Sequence, residues 1–148
     1  MHTIIAVARS ADHEFSKQLL NCIDLIKGEG VAGDCHRGVT VKHRSRVAVD
    51  PTQPNLRQVH LIHAELFDEL STFGHTVKPG QLGENITTRG IDLLALPRDT
   101  LLMLGKSAII QLTGLRNPCH QIEDFQTGLL SKVVYKHDDG TLVRKTGV

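Results

Sequence analysis

The chain has 148 residues, 40% hydrophobic and 22% charged, a size that fits one domain with a real core. Seventeen basic against sixteen acidic residues leave a net charge of +1, which gives no general basis for binding nucleic acid or an anionic membrane surface. Four Phe, one Tyr and no Trp argue against a surface that stacks bases, and no apolar run reaches the ~20 residues of a membrane-spanning helix.

The N-terminus, MHTIIAVARS, lacks the basic start and long apolar stretch of a signal peptide, so a cytoplasmic protein is expected. Residues 3–8, TIIAVA, are short, apolar and rich in β-branched types, and predict a buried strand. The segment 19–26, LLNCIDLI, fits helix or strand; the turn signals that follow at once favour strand. Gly28, Gly30, Gly33 and Gly38 then mark a loop whose backbone takes unusual φ values or approaches something closely. Arg46 to Val49 reads as a short strand. DPTQPN, with two prolines in six residues, is a surface loop.

A helix is predicted over 58–72, where Leu61, Ile62, Leu66, Phe67 and Leu70 recur at helical spacing, Glu65, Asp68 and Glu69 fill the other face, and Gly74 caps the end. Beyond it, Ile86–Thr88, Thr100–Leu104 and Ala108–Thr113 predict strands separated by Gly and Pro. Many short strands with regular turns indicate a mainly β fold, a barrel or sandwich with a few helices. After Cys119 the chain predicts one or two helical turns and a longer apolar element. HDDGTLVRKTGV stops where a new strand begins, and a barrel lacking its last strands exposes edges. The single domain, 1–148, is therefore expected to be C-terminally incomplete.

Three segments carry possible chemistry. In Arg116-Asn117-Pro118-Cys119-His120 a cation lies three residues before a thiol that a proline holds in a stiff loop. This is a setting for a reactive or metal-bound thiolate, or for an idle buried cysteine. In Gly33-Asp34-Cys35-His36-Arg37-Gly38 two glycines bracket polar side chains, as in an anion cradle or a cleft wall, though a tight turn fits the local pattern better. Pro79-Gly80-Gln81-Leu82-Gly83-Glu84-Asn85 can bring backbone N–H groups to a ligand, with the Asn85 amide on a heterocycle, or form a pair of β-turns.

Cys22, Cys35 and Cys119 form no disulfide framework and no C-x-x-C motif. A zinc site from Cys35, His36, Cys119 and His120 is disfavoured, because adjacent side chains diverge in extended chain and the usual ligand spacings are absent. There is no nucleophile elbow, P-loop or dinucleotide fingerprint.

Taken together and in order, GDCHRG, the helix QVHLIHAELFDEL with Glu65, PGQLGENITTRGIDLLAL and LTGLRNPC resemble the MOSC domain family, named after the C-terminal part of molybdenum cofactor sulfurase. Its pattern is a GDxHxG loop, a Glu-bearing helix, PGxxGENxxxxG and R-x-P-C, and the resemblance covers essentially the whole chain. It implies a distorted β-barrel similar to the β-barrel domain of pyruvate kinase. It also implies a molybdenum–molybdopterin cofactor with Cys119 as metal ligand and site of the chemistry. The activity implied is reduction of N-hydroxylated substrates, with electrons from an external donor protein, since the chain carries no redox module. Arg116 would meet the cofactor's phosphate. Gly83, Glu84 and Asn85 would lie against the pterin, and Asp34 and His36 would complete the cleft wall. Two alternatives remain open: a sulfur carrier that takes persulfide onto Cys119 from a sulfur-donor protein, and a binding module without catalysis. Pyridoxal phosphate, nucleic acid and membrane partners are not expected.

Overall fold

The computed structural model describes residues 1–148 and holds ten strands, four short α-helices and one 3-10 turn. Strand β1 (Thr3–Arg9) is the β-branched run TIIAVAR, suited to a pleated, half-buried surface. It pairs antiparallel with β2 (Gln18–Leu20) on one side and with β6 (Ile86–Arg89) on the other, with a bulge between Ile4 and Ala6. Strand β5 (Leu61–His63) adds parallel to β6, so the main sheet is ordered β2-β1-β6-β5. The other strands form isolated antiparallel hairpins: β3 (Leu25–Ile26) with β4 (Gly30–Val31), β7 (Leu101–Leu104) with β8 (Ala108–Gln111), and β9 (Val134–Lys136) with β10 (Leu142–Arg144).

Strand β5 divides two cores. Successive side chains of a strand point to opposite faces, and Leu61 and Ile62 are both fully buried. Ile62 packs with Leu66, Phe67 and Leu70 of helix α2 (Glu65–Thr72) and with Ile122, Leu129 and Val133 around α3 (Gln121–Phe125) and α4 (Leu130–Val133). Leu61 packs with Ile86, Leu93, Leu112 and Val148. The chain end is part of this arrangement. Leu61 N–H donates to the Val148 carbonyl (2.8 Å) and Val148 N–H donates back (3.0 Å), so the chain end is hydrogen-bonded to β5. Gly147 makes the approach possible: it has φ +85°, and a Cβ there would overlap the Leu61 carbonyl oxygen.

Several expectations change. The helix predicted over 58–72 is strand β5 followed by α2, because two adjacent apolar residues, Leu61 and Ile62, bury opposite faces of a parallel strand. The strand expected at 46–49 is helix α1 (Arg44–Val49), which has no buried residue; Val47 and Val49 are exposed, so no apolar face is present to seat a strand. The expected closed barrel is not formed. The three hairpins pair only within themselves, and the gap between the main sheet and the hairpins β3–β4 and β7–β8 is an open cleft of about 1150 Å³, lined by residues such as Val7, Ile23, Leu61 and Ile110. The fold is mainly β with few helices. No helix is long and apolar enough to cross a membrane.

Leu66 is fully buried, whereas Leu101 is exposed. Leu66→Ala is expected to cost about 2–5 kcal/mol through lost transfer energy and a residual cavity. Leu101→Ala should stay within about 0.5 kcal/mol of wild type. Urea unfolding midpoints of the two variants check this.

Candidate functional site

The site is organised on Asp34. After β4 the chain turns, with Asp34 N–H donating to the Val31 carbonyl and Arg37 N–H to the Asp34 carbonyl. The Asp34 carboxylate is buried and accepts from Lys17 Nζ (2.6 Å), Ser10 N–H (3.0 Å), His36 N–H (3.1 Å) and Asn85 Nδ2 (3.2 Å). Lys17 is buried as well. Burial alone would push the Asp34 pKa up, but hydrogen bonds from His36 and Lys17 and the Lys17 charge outweigh it and hold the carboxyl well below its ordinary range.

The PGQLGEN loop is folded onto the protein's own polar groups. Asn85 Oδ1 accepts from His60 N–H (3.1 Å), and Nδ2 donates to the Ala8 carbonyl (3.1 Å) as well as to Asp34. Glu84 is fully buried; its Oε1 accepts from Gly80 N–H (2.6 Å) and Thr87 Oγ1 (3.1 Å), its Oε2 has no partner, and burial raises its pKa. Gly83 has φ +86°, and a Cβ there would meet the Phe15 carbonyl at 2.8 Å. The close approach that this glycine permits is to the protein's own backbone.

Above Asp34 runs a column of imidazoles. His36 stacks on His43, with ring centroids 4.3 Å apart, and meets His13 edge-on at 5.4 Å. Arg116 Nη1 lies 3.4 Å from His43 Nε2. A guanidinium can only donate, so this contact requires a neutral ring with Nε2 as acceptor. Burial, His36 and Arg116 together pull the His43 pKa down to about 3. Half-buried His60, whose Nε2 lies 2.6 Å from the Thr146 carbonyl, is also held well below its ordinary value by burial.

Arg116 retains some accessible surface, yet its guanidinium is desolvated, and with Arg57 nearby its pKa falls to about 9; Asp34, already paired with Lys17, offsets this only in part. Arg57 is itself lowered by burial and by the charges of Arg46 and Arg144, and Arg144 donates to Asn117 Oδ1 (2.6 Å). The RNPC loop is thus surrounded by mutually repelling guanidinium groups, and no carboxylate pairs with Arg116.

Cys119 is exposed just ahead of α3, its thiol 3.6 Å from Gln121 Oε1. The Arg116 head contacts His43, not this thiol. His120 is exposed and only 3.9 Å from Asp124. Cys35 and His36 gather with His13 and not with Cys119 and His120, so the four-residue zinc set is not assembled. Cys22 is exposed.

A profile of the MOSC domain matches residues 32–147, a span that includes GDCHRG, PGQLGEN and LRNPC. The chain belongs to the MOSC domain family. No curated protein matches this MOSC domain significantly. Its fold is similar to the crystal structure of the YuaD protein (APC1665) from Bacillus subtilis, with a TM-score of 0.71 and 22% identity over 89% of this chain and 80% of that one. At that identity the likeness concerns the fold alone.

Of the residues singled out from the sequence, this MOSC domain joins Asp34, His36, Asn85 and Arg116 through direct contacts or shared neighbours, with Gly83 and Glu84 holding the adjoining loop. Sequence reasoning missed Lys17, His43, Arg57, His60 and Arg144. The run Lys42-His43-Arg44-Ser45-Arg46 is a local basic signal that pointed to part of this set. Lys17, in SKQLLN, carries no such signal.

Two outcomes follow from the electrostatics. Lys17→Met strands a buried carboxylate and should cost about 3–5 kcal/mol, whereas Lys17→Met with Asp34→Asn should cost less, because no buried charge is left unpaired; chemical unfolding of both variants tests this. The second concerns acid. Between pH about 6.5 and 3 the unfolded chain protonates His43 while the folded one does not, so the unfolded state binds more protons and stability falls as pH drops through that window. The urea midpoint should decline over that range in wild type, and less steeply in His43→Gln.

Proposed function

We propose that this MOSC domain binds a molybdenum–pterin cofactor, with Cys119 as metal ligand and the Arg116 guanidinium receiving the cofactor's phosphate. Membership of the family supports molybdenum-cofactor binding or sulfur chemistry. The observation that carries the finer reading is the desolvated Arg116 guanidinium, repelled by Arg57 and without a paired carboxylate, three residues from an exposed thiol. An unpaired desolvated cation is costly, and an arriving phosphate removes that cost by bidentate, charge-assisted hydrogen bonds. The donor set fits the group at its other end as well, since a cysteine thiolate is a soft ligand suited to a sulfur-rich metal centre.

When bound, the centre supplies two-electron reduction of an N-hydroxylated substrate: the N–O bond breaks, two electrons come from a separate donor protein, and two protons yield the amine-type product and water. The chain's own residues do the rest. Arg116 and Arg57 orient the anion. Neutral His43 accepts from Arg116 and adds no further positive charge. Asp34, Lys17 and Asn85 act as positioning residues, holding the loops beneath His36. Glu84 and Gly83 keep the PGQLGEN loop closed on itself. His36 stands beside Lys17, whose Nζ lies 3.3 Å from His36 Nδ1.

The exposure of Cys119 also supports a second reading. A donor protein's persulfide can reach it, and the Cys119 thiolate would attack the outer sulfur, forming a new S–S bond and releasing the donor's thiolate.

Protein purified from a host that makes the cofactor separates these readings by metal and pterin content. Wild type should carry molybdenum and pterin. Cys119→Ser should lose molybdenum at least tenfold, and Arg116→Ala should lose both by about tenfold or more, the worth of a charge-assisted bond. Equal molybdenum in wild type and Cys119→Ser would overturn the first reading. A gain of one sulfur at Cys119 in mass spectrometry, with no molybdenum retained, would favour the second.

A further inference from the structure

Loop 33–38 carries a second group of soft and borderline ligands, and the cofactor reading does not use it as one. Cys35 occupies a position that the GDxHxG pattern leaves free, and His13 lies outside every motif. One ligand atom from each of His13, Cys35 and His36 lies within 4.8 Å of the others. Cys35 and His36 are sequence neighbours, and in extended chain their side chains would diverge. Here the turn closed by Arg37 N–H on the Asp34 carbonyl curls them together, leaving Cys35 Sγ 3.4 Å from His36 Nδ1. His13, on the connection between β1 and β2, reaches over from the other side, edge-on to His36.

We propose that His13, Cys35 and His36 form a three-ligand site for a borderline divalent cation, zinc(II) foremost, with a fourth position open to water or a small anion. One thiolate and two imidazoles match the preference of zinc for sulfur and nitrogen at near-tetrahedral geometry, and three protein ligands with one open position is the form of zinc sites that do chemistry. No carboxylate belongs to the set, which disfavours magnesium and calcium. Asp34 fixes the loop that carries two of the ligands: its Oδ2 accepts from the His36 backbone N–H at 3.1 Å.

The charge balance also works. Lys17 Nζ lies 3.3 Å from His36 Nδ1, but its charge is already paired with Asp34 at 2.6 Å. Among the groups around the thiol, Lys17 favours the thiolate and Asp34 and Asp12 oppose it; around His13, the groups are His36, Arg44, Lys17 and Asp34. An ordinary cysteine thiol is protonated near neutral pH. Metal capture must then release that proton, and the new thiolate offsets half the cation's charge.

The test uses the full chain, stripped with a chelator and titrated first with cobalt(II) as a spectroscopic stand-in and then with zinc(II). One equivalent of cobalt should give a thiolate-to-metal charge-transfer band and d–d bands of tetrahedral intensity, and one equivalent of zinc should abolish both. About one proton should be released per ion at neutral pH, and affinity should rise about tenfold per pH unit below the thiol's pKa. Cys35→Ser should abolish the charge-transfer band. His13→Ala, at an exposed position that does not endanger folding, should weaken zinc at least tenfold. Cys119→Ser and Cys22→Ser should leave the spectrum unchanged, which keeps this result separate from the fate of the cofactor reading. The proposal is overturned if the band survives Cys35→Ser, disappears in Cys119→Ser, or has octahedral character, or if His13→Ala binds zinc like wild type.

Discussion

The buried Lys17–Asp34 pair is the contact on which the rest of the site depends. Lys17 borders the main sheet at β2, and Asp34 lies in the loop after β4. Through its remaining lone pairs the same carboxylate reaches Ser10 at the end of β1 and Asn85 at the start of β6. Four segments separated by up to 75 residues are therefore fixed to one group. Such a pair adds little net stability compared with apolar packing, since desolvation cancels much of the attraction. What it provides is geometry. A buried carboxylate with four donors has one arrangement that satisfies it, and that arrangement sets the heights of His36 and of the PGQLGEN loop.

Around this neutralised pair the electrostatics are one-sided. Lys17 is matched and Arg116 is not. The histidines nearest Arg116 are held neutral by burial and by the surrounding positive charge, which prevents the local charge from rising further but leaves the guanidinium groups of Arg57, Arg116 and Arg144 without carboxylates of their own. A folded protein that keeps such a group desolvated has given up stability at that point, and the compensation comes from packing elsewhere, in the two cores on either side of β5. A substitution that brings a carboxylate to Arg116 is expected to stabilise the folded protein, since it pairs a desolvated cation.

Much of this was legible in the sequence. The three motif blocks named the loops that meet, and the dense glycines marked the places where chain must approach chain. What the motifs did not reveal was the direction of each contact. Asn85 and Gly83 suggest ligand binding when read as isolated residues. In the folded chain the Asn85 amide is engaged by Ala8, His60 and Asp34, and Gly83 makes room for the Phe15 carbonyl. Both depend on partners more than 20 residues away, which a local window cannot supply. The helix predicted across Leu61 and Ile62 failed for the same reason: periodicity cannot tell a helix face from a parallel strand buried on both sides, and the decision was made by pairing with Ile86 and Thr87. Barrel closure likewise depends on which strands find partners, and no strand's own composition specifies that.

The two cysteines in the motif loops show how little residue type settles by itself. Cys119 follows a proline, stands exposed, and has one weak side-chain contact. Cys35 is half-buried with an imidazole against its sulfur and a buried ion pair behind that ring. A metal ion displaces a thiol proton most effectively when other ligands are already in place. The turn that Asp34 organises puts those ligands there. One carboxylate, by fixing His36 between His13 and His43, therefore borders two environments at once: a group of unpaired guanidinium side chains on the Arg116 side, and a sulfur–nitrogen cluster on the Cys35 side.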